Sequence, residues 1–430
     1  MFDAALLFLF AVIYAVIAWR MLDWAITLTV LFLPAYLIRF TIGPIPSTVL
    51  EIMLLVVIGV WGIRTFRERI RTRACPAFVP WRWILAAWVA VGVLAVVISP
   101  DLRSALGLWK AYIVEPTLFF LVCVNVIRTR QQLYQVLWAL GASAVLIGFV
   151  AMLQYLSIFP IPSPYGLEVP MRATSVFPFP TAIGKLLGPV AGLFFGLLLV
   201  NRRWWRGSLW RTVREHLFVA GVLVFSLMAL LFSVSRGALI GVLMAVIFIS
   251  FFSYWKKWIW LGIIGVVIGG LLVPQIRSNV TSVFDASDVS ADVHQVMWKG
   301  AIRIIQDHPL LGTGLASFPI VYADYKEASH TEFFPNPDQL VLSLWIEMGL
   351  LGVLVFICIM MRYFQTAAAA MRVDRALAVG LMAAMVVLLV HGMVDTPYFK
   401  NDLAVQFWVL GGMVVALARL PKKETAQSEH

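Results

Sequence analysis

Long uninterrupted apolar runs dominate this 430-residue chain and leave few folds open to it. A helix of about 20 apolar residues crosses the hydrocarbon core of a bilayer. Runs of this kind occur near 4–19, 24–38, 48–65, 83–99, 107–126, 133–155, 182–200, 217–233, 237–254, 257–273, 339–361, 376–394 and 403–419. The expected fold is therefore an all-α polytopic membrane protein. It is a bundle of about 12–13 transmembrane helices, the first two runs being short, with a structured helical loop on one face. The chain reads as a single integral membrane domain over 1–430, with a large loop, 274–338, inserted between transmembrane helices. Charged residues make up 13% of the chain, about half of what a soluble domain carries, which excludes a string of soluble domains. The net charge of +11 is explained by basic residues retained on the cytoplasmic side, so no nucleic-acid partner is expected. Cys75, Cys123 and Cys358 are scattered and make neither a disulfide framework nor a metal site. The apolar N-terminus lacks a basic leader and a cleavage site and is read as a retained span.

The basic residues set the orientation. Arg64, Arg67, Arg69, Arg71, Arg73 and Arg82 fall in one connection and Arg202, Arg203, Arg206, Arg211 and Arg214 in another. Arg128 and Arg130, Lys256 and Lys257, Arg362, Arg372 and Arg375, and Arg419, Lys422 and Lys423 fall in alternate connections on the same side, which the positive-inside rule makes cytoplasmic. The opposite side receives 99–106, 156–181, the turn 233–236, the loop 274–338 and 395–402. A loop as long as 274–338 must carry structure of its own. Val293, Val296, Met297, Gly300, Ala301, Ile304 and Ile305 recur there at helical spacing and predict one amphipathic helix, stopped by His308-Pro309, lying on the membrane surface or over the bundle.

Basic residues are few on the outer side: Arg103, Arg172, Arg236, Arg277, Lys299, Arg303, Lys326 and Lys400. Guanidinium groups grip phosphate bidentately, so outward arginines suit an anionic lipid head group such as a pyrophosphate; snorkelling to the interface is the alternative. Arg236 stands out, in the four-residue turn of Ser233-Val234-Ser235-Arg236-Gly237-Ala238 between two long apolar runs, where an uncompensated charge is expensive. Arg172 lies in Met171-Arg172-Ala173-Thr174-Ser175, ahead of a run that contains Lys185. The glycines of His308-Pro309-Leu310-Leu311-Gly312-Thr313-Gly314 offer either an anion-binding nest or a helix stop. Asp338, at the mouth of the next run, suits a general base or an N-cap. His391 and Asp395, one helical turn apart, form a further candidate pair with Lys400, Asn401 and Asp402 beside them. Lys110 and Glu115 are five residues apart, off a common α-helical face, and with Glu51 read as transport residues or as near-end packing pairs.

Taken together these segments resemble the O-antigen ligase and polymerase family of bacterial envelope glycan assembly. The resemblance runs over nearly the whole chain. It is carried by the SVSRGA turn, the stretch from Trp298 to Gly314, the span ending Trp345-Ile346-Glu347-Met348-Gly349-Leu350-Leu351-Gly352, and the segment from His391 to Asp402. The spacing from Arg172 to Gly188 resembles the polymerase branch. The resemblance implies a multi-pass protein of the bacterial inner membrane with its active face toward the periplasm. It implies metal-independent, cofactor-free transfer of a glycan from an undecaprenyl-pyrophosphate carrier to an acceptor hydroxyl, on lipid A core or on a growing polysaccharide. Arginines hold the pyrophosphate and a base activates the acceptor. Arg236 takes the place of the family's turn arginine, with Arg172, Arg303 and Lys299 as further donor-binding candidates and His391, Asp395 and Lys400 as secondary ones. Two identities depart from the family. Pro337-Asp338-Gln339 stands where Pro-His-Asn is usual, and His294 stands where an arginine precedes Trp298 by four residues. The expectation is that Asp338 is the base and His294 its partner. Polymerase activity is the alternative of the same fold, and a transporter, flippase or envelope-assembly scaffold is the alternative of another class.

Overall fold

The computed structural model describes residues 4–43, 45–72, 81–200, 209–272, 289–326 and 335–422. Cys75, Arg277 and the rest of 273–288 and 327–334 in the long loop lie outside the described residues. The described chain is almost entirely helical. Its helices are α1 (Ala4–Arg20), α2 (Leu22–Leu31), α3 (Val49–Thr72), α4 (Arg82–Val97), α5 (Leu102–Leu108), α6 (Glu115–Val126), α7 (Arg130–Tyr155), α8 (Thr181–Val200), α9 (Leu209–Phe232), α10 (Arg236–Ser250) and α11 (Lys256–Leu272). The long loop contributes α12 (Val289–Asp307) and α13 (Phe318–Tyr325), and α14 (Leu340–Ala370), α15 (Arg375–His391) and α16 (Asn401–Arg419) complete the bundle. Among the described residues, seven helices are long and apolar enough to cross a membrane, and five further apolar helices span 10–17 residues. The chain is a multi-pass membrane protein.

One apolar run does not become a full span. Pro34 lacks the N–H that would continue the ladder of α2. The chain turns through a 3-10 segment, Leu33–Leu37, into an antiparallel hairpin, Arg39–Ile42 with Ile45–Thr48, in which Arg39 faces Thr48. Hydropathy counts the run 24–38 as one segment because it cannot see the break.

Helices α8 and α16 form the centre, with 78% and 89% of their apolar windows buried. Gly196 of α8 and Gly380 of α15 leave no room for a side chain between them, the close small-residue approach that membrane helices use in place of a hydrophobic drive. Gln406 of α16 donates from Nε2 to the Leu186 carbonyl of α8 at 2.9 Å. The central helices thus carry Lys185, Lys400 and Asp402 to one end of the bundle on a rigid frame.

The connections sort into two ends. At one, Arg130 donates to the Pro421 carbonyl, Arg375 to the Phe252 carbonyl and Arg419 to the Val124 carbonyl. At the other, Ala173 N–H reaches the Phe232 carbonyl, the Ser99 hydroxyl reaches the Leu315 carbonyl, and Leu340 N–H reaches the Gly392 carbonyl. Among the described residues, the basic connections near 125–130, 252–257, 371–375 and 419–422 gather at the first end and loops poor in basic residues at the second, while 73–80 and 201–208, with Arg73, Arg202, Arg203 and Arg206, lie outside the described residues.

Within the long loop, Met297, Ala301 and Ile304 of α12 are buried against Phe318 and Tyr322 of α13 and Ile346 of α14. The amphipathic stripe therefore faces the bundle. Ahead of α13, the two glycines of His308–Gly314 serve close packing of backbone on backbone, Gly312 against α14 and Gly314 against the end of α4. Thr313 N–H donates to the Ile346 carbonyl at 2.7 Å, and Leu350 N–H donates back to the Leu310 carbonyl at 3.1 Å. These bonds replace those lost where α14 breaks at Gly349, whose φ is +67°. At Gly314, with φ +97°, a Cβ would lie 2.5 Å from Ser99 Cα and 2.7 Å from the Ala95 carbonyl, both backbone atoms. Gly314→Ala is expected to cost about 2–4 kcal/mol, combining left-handed strain with a clash that no rotamer relieves. In a thermal scan of the detergent-solubilised protein it should unfold well below the wild type; an unchanged transition would contradict this account of the clasp.

The Lys110–Glu115 spacing is resolved by an unusual turn. Trp109–Val114 is a π-helix, whose i→i+5 bonding brings residues five apart onto one face. Lys110 pairs there with Glu115 at 3.3 Å and with Glu51 of α3, whose carboxylate also accepts from Ser47. The three charges form one ion cluster, consistent with the packing alternative.

Candidate functional site

The site is built around the turn joining α9 to α10. Val234 takes a left-handed φ of +53°, which lets the chain reverse in so few residues. Arg236 is then the first residue of α10 and is exposed. Arg172 packs across the same turn, its Nε donating to the Ser233 carbonyl at 3.3 Å and its Nη1 3.8 Å from Glu168 Oε2. Buried Gln154 of α7 holds the segment behind Arg172: its Oε1 accepts from Thr174 N–H at 3.0 Å and Ser175 N–H at 2.7 Å, and its Nε2 donates to the Ser175 carbonyl. Arg172 is thereby fixed to the turn that carries Arg236.

Two glycines draw further elements onto the turn. Gly184 of α8 lies against Ser235 and Ala238, and a Cβ on Gly237 would be 2.7 Å from His391 Cδ2. Lys185, next to Gly184, makes an ion pair with Asp395, Nζ to Oδ1 at 2.6 Å, and His391 Nε2 is 3.6 Å from Asp395 Oδ2. The His391–Asp395 pair expected from spacing is therefore formed, with Lys185 as an additional member.

Asp338 meets this group from the other side. Its backbone has φ +44°. It does not cap α14: Gln339 does, its side-chain oxygen accepting from Leu342 N–H at 2.5 Å. The N-cap alternative thus falls to the neighbouring residue, and the Asp338 carboxylate is left for other work. Burial, reinforced by the Asp395 carboxylate, holds the Asp338 carboxyl above its ordinary range, against the opposing pull of Lys185 and His294. For Asp395 burial also pushes upward, but the Lys185 ammonium and the hydrogen bond and charge of His391 outweigh it and hold that carboxyl below the usual range. The two carboxyl groups are thus driven apart, a pattern of acid and base assignment in many active sites. His294 sits on α12 one turn before Trp298, whose indole N–H donates to the Pro337 carbonyl at 2.9 Å. The His294 ring centroid is 5.9 Å from that of Trp298, and its Nδ1 is buried without a hydrogen bond among the described residues.

Residues 221–357 match the family model described as O-antigen ligase. The matched stretch is similar to that family over about a third of the chain. It runs from within α9 through the Arg236 turn, α12 and Asp338 to beyond the Gly349 break of α14. The match supports an O-antigen ligase or polymerase type of function and a glycan-type substrate. Comparison with curated proteins returned no match.

Other candidates lie partly outside the matched stretch. Lys400 sits in an aromatic box, 4.5 Å from the Tyr36 ring, 4.8 Å from Phe177 and 5.4 Å from Phe179, with Asp402 Oδ2 3.6 Å from its Nζ. Burial pushes its ammonium below the ordinary lysine range; Asp402 opposes this, while Lys185 and Arg39 add to it. Lys400 thus borders the site through Lys185, whose Nζ lies 5.7 Å from the same Phe179 ring. Lys299 and Arg303 are exposed on α12. Arg303 follows His294 by about two and a half turns, placing it on the opposite face of the helix, so the structure does not draw it into the His294–Asp338 group. Among the described residues no three-residue cluster of metal-ligating side chains occurs. Sequence reasoning passed over Lys185, Asn336 and Thr396 as site residues. A lysine inside an apolar run was the one available signal, since nothing in the spacing joins residue 336 to 396.

Proposed function

We propose that this protein transfers a glycan from an undecaprenyl-pyrophosphate carrier to an acceptor hydroxyl, at the periplasmic face of the bacterial inner membrane. In the reaction the bond from the sugar anomeric carbon to the pyrophosphate oxygen breaks, and a bond from that carbon to the acceptor oxygen forms. Asp338 takes the acceptor proton, with His294 beside it to share it, and Arg236 and Arg172 stabilise the charge that grows on the departing pyrophosphate. Lipid A core and a growing polysaccharide are acceptors of the same chemistry. The donor carries its own driving force, so a site on the outer side has no need of ATP.

The observation that carries this reading is the meeting, at a single end of the bundle, of Arg172, hydrogen-bonded to the turn that opens on Arg236, with the partly buried Asp338, linked through Asp395, Lys185 and His391. A transporter would place its polar groups near the bilayer midplane, in broken helices of repeated halves. At the break of α14 at Gly349, the lost helical bonds are replaced by those to Leu310 and Thr313.

The donor half can be tested without knowing the sugar or the acceptor. Purified protein in nanodiscs should bind undecaprenyl pyrophosphate at least tenfold more tightly than undecaprenyl phosphate, because the second phosphate is what two guanidinium groups grip. Equal affinity for the two lipids would contradict the reading.

A further inference from the structure

A membrane bundle gains little by burying an ion pair, since the desolvation of both groups consumes most of their attraction. Lys185 and Asp395 nevertheless form one, with side chains only 11% and 10% exposed. A hydrogen-bonded path leads from it to Asp338. Asp395 Oδ1 accepts from Thr396 N–H at 2.7 Å, the Thr396 hydroxyl donates to Asn336 Oδ1 at 2.8 Å, and the same oxygen accepts from Asp338 N–H at 3.0 Å. With two donors converging on it, Asn336 Oδ1 fixes the backbone of Asp338 in its left-handed conformation.

We propose that Lys185 and Asp395 are positioning residues for Asp338: Asp395 holds its backbone through Thr396 and Asn336, and the two opposite charges act on its carboxylate from the side of α8 and the segment after α15. The inference rests on the reading of Asp338 as the base. Three charged or titratable groups act on Asp338: Asp395 from the segment after α15, Lys185 from α8 and His294 from α12. His391 of α15 acts on Asp395, Lys400 stands next beyond Lys185, and Arg236 opens α10 where Gly237 packs on His391. In this arrangement Asp395 makes Asp338 harder to ionise and Lys185 makes it easier.

A pair that merely braces the helices would respond to the loss of either partner in the same way. A pair that acts on Asp338 would not. Asp395→Asn removes a negative charge and leaves Lys185 unopposed, so Asp338 should ionise at lower pH. Lys185→Met removes the positive charge that eases ionisation of Asp338 and leaves Asp395 with His391 alone, so Asp338 should ionise at higher pH. Each shift should be about one pH unit, the usual effect of one nearby charge.

The direct readout is an infrared titration of the purified full-length protein, following the protonated-carboxyl band that Asp338→Asn removes. Midpoints moving in opposite directions in Asp395→Asn and Lys185→Met support the proposal. Midpoints that stay fixed or move together, or the absence of any band lost in Asp338→Asn, overturn it. Should a single variant leave an unpaired charge that prevents folding, the double variant Lys185→Met/Asp395→Asn buries none, and its midpoint should return to near that of the wild type; a midpoint as far away as a single variant's would overturn the proposal too. Transfer assays separate this inference from the reading beneath it. If Asp338→Asn retains full transfer, the base assignment fails. If it abolishes transfer while the two midpoints do not diverge, only the positioning role fails.

Discussion

Asp338→Asn is expected to reduce glycan transfer by about 100-fold to 10,000-fold, the usual contribution of a general base. The substitution changes little else. Asparagine has nearly the volume of aspartate and tolerates the left-handed region that Asp338 occupies at φ +44°. The cap of α14 is untouched, because Gln339 supplies it, and the tether from Asp338 N–H to Asn336 is a backbone bond that survives. Protein yield and thermal unfolding should therefore match the wild type while activity is lost. The pH profile follows from the same environment. Asp338 must be ionised to accept a proton, and burial with the Asp395 carboxylate nearby raises the pH at which it ionises. Activity should accordingly fall as pH drops through a midpoint above the value of about 3.9 for a free aspartate, and the limb should vanish in Asp338→Asn. His294→Ala should weaken transfer strongly, whereas His294→Arg should be tolerated if that position mainly grips phosphate. Activity of Asp338→Asn within tenfold of the wild type would remove this residue from the chemistry.

The second large effect is at Arg236. Removing one preorganised donor from a site where charge develops costs about 100-fold to 1,000-fold in rate, and Arg236→Ala should fall in that range. Arg236 opens α10, so the free N–H groups and positive end of that helix favour an anion at the same place. Arg236→Lys keeps the charge there but gives up the two parallel hydrogen bonds, and should still lose most of the activity. Arg172, fixed to the Ser233 carbonyl of the same turn, makes the two effects non-additive. Normal transfer by Arg236→Ala at normal expression would refute the assignment.

Much of the architecture was legible because a bilayer imposes one length and one polarity on every span. The apolar runs became helices, the described basic connections gathered at one end, and the stripe of Met297, Ala301 and Ile304 marked α12 as a helix, with the choice between the membrane surface and the bundle falling to the bundle. Where the reading fell short, it had assumed regular α geometry. Pro34 ended α2 early, and the π turn at Trp109–Val114 joined Lys110 to Glu115 although their spacing sets them apart on an α-helix. The site was legible as a set of charged residues at segment ends but not as a network. Pairing Lys185 with Asp395, or Thr396 with Asn336, depends on which helices are neighbours. That follows from glycines such as Gly184, Gly196 and Gly237, which have no distinctive pattern in an apolar sequence. The division of labour between Asp338 and Gln339 was also hidden, since either residue can cap a helix and only backbone geometry decides between them.

The central claim is tested most directly by reconstituting the purified full-length protein in liposomes with an undecaprenyl-pyrophosphate-linked glycan and a panel of hydroxyl acceptors, lipid A core and the free glycan among them, and following both products without added nucleotide or metal. The account predicts that glycan appears on an acceptor in equal amount to the undecaprenyl pyrophosphate released, and that both products are lost together in Asp338→Asn and Arg236→Ala. Donor left intact by well-folded wild-type protein across the acceptor panel, or product formation that persists in both variants, would contradict it.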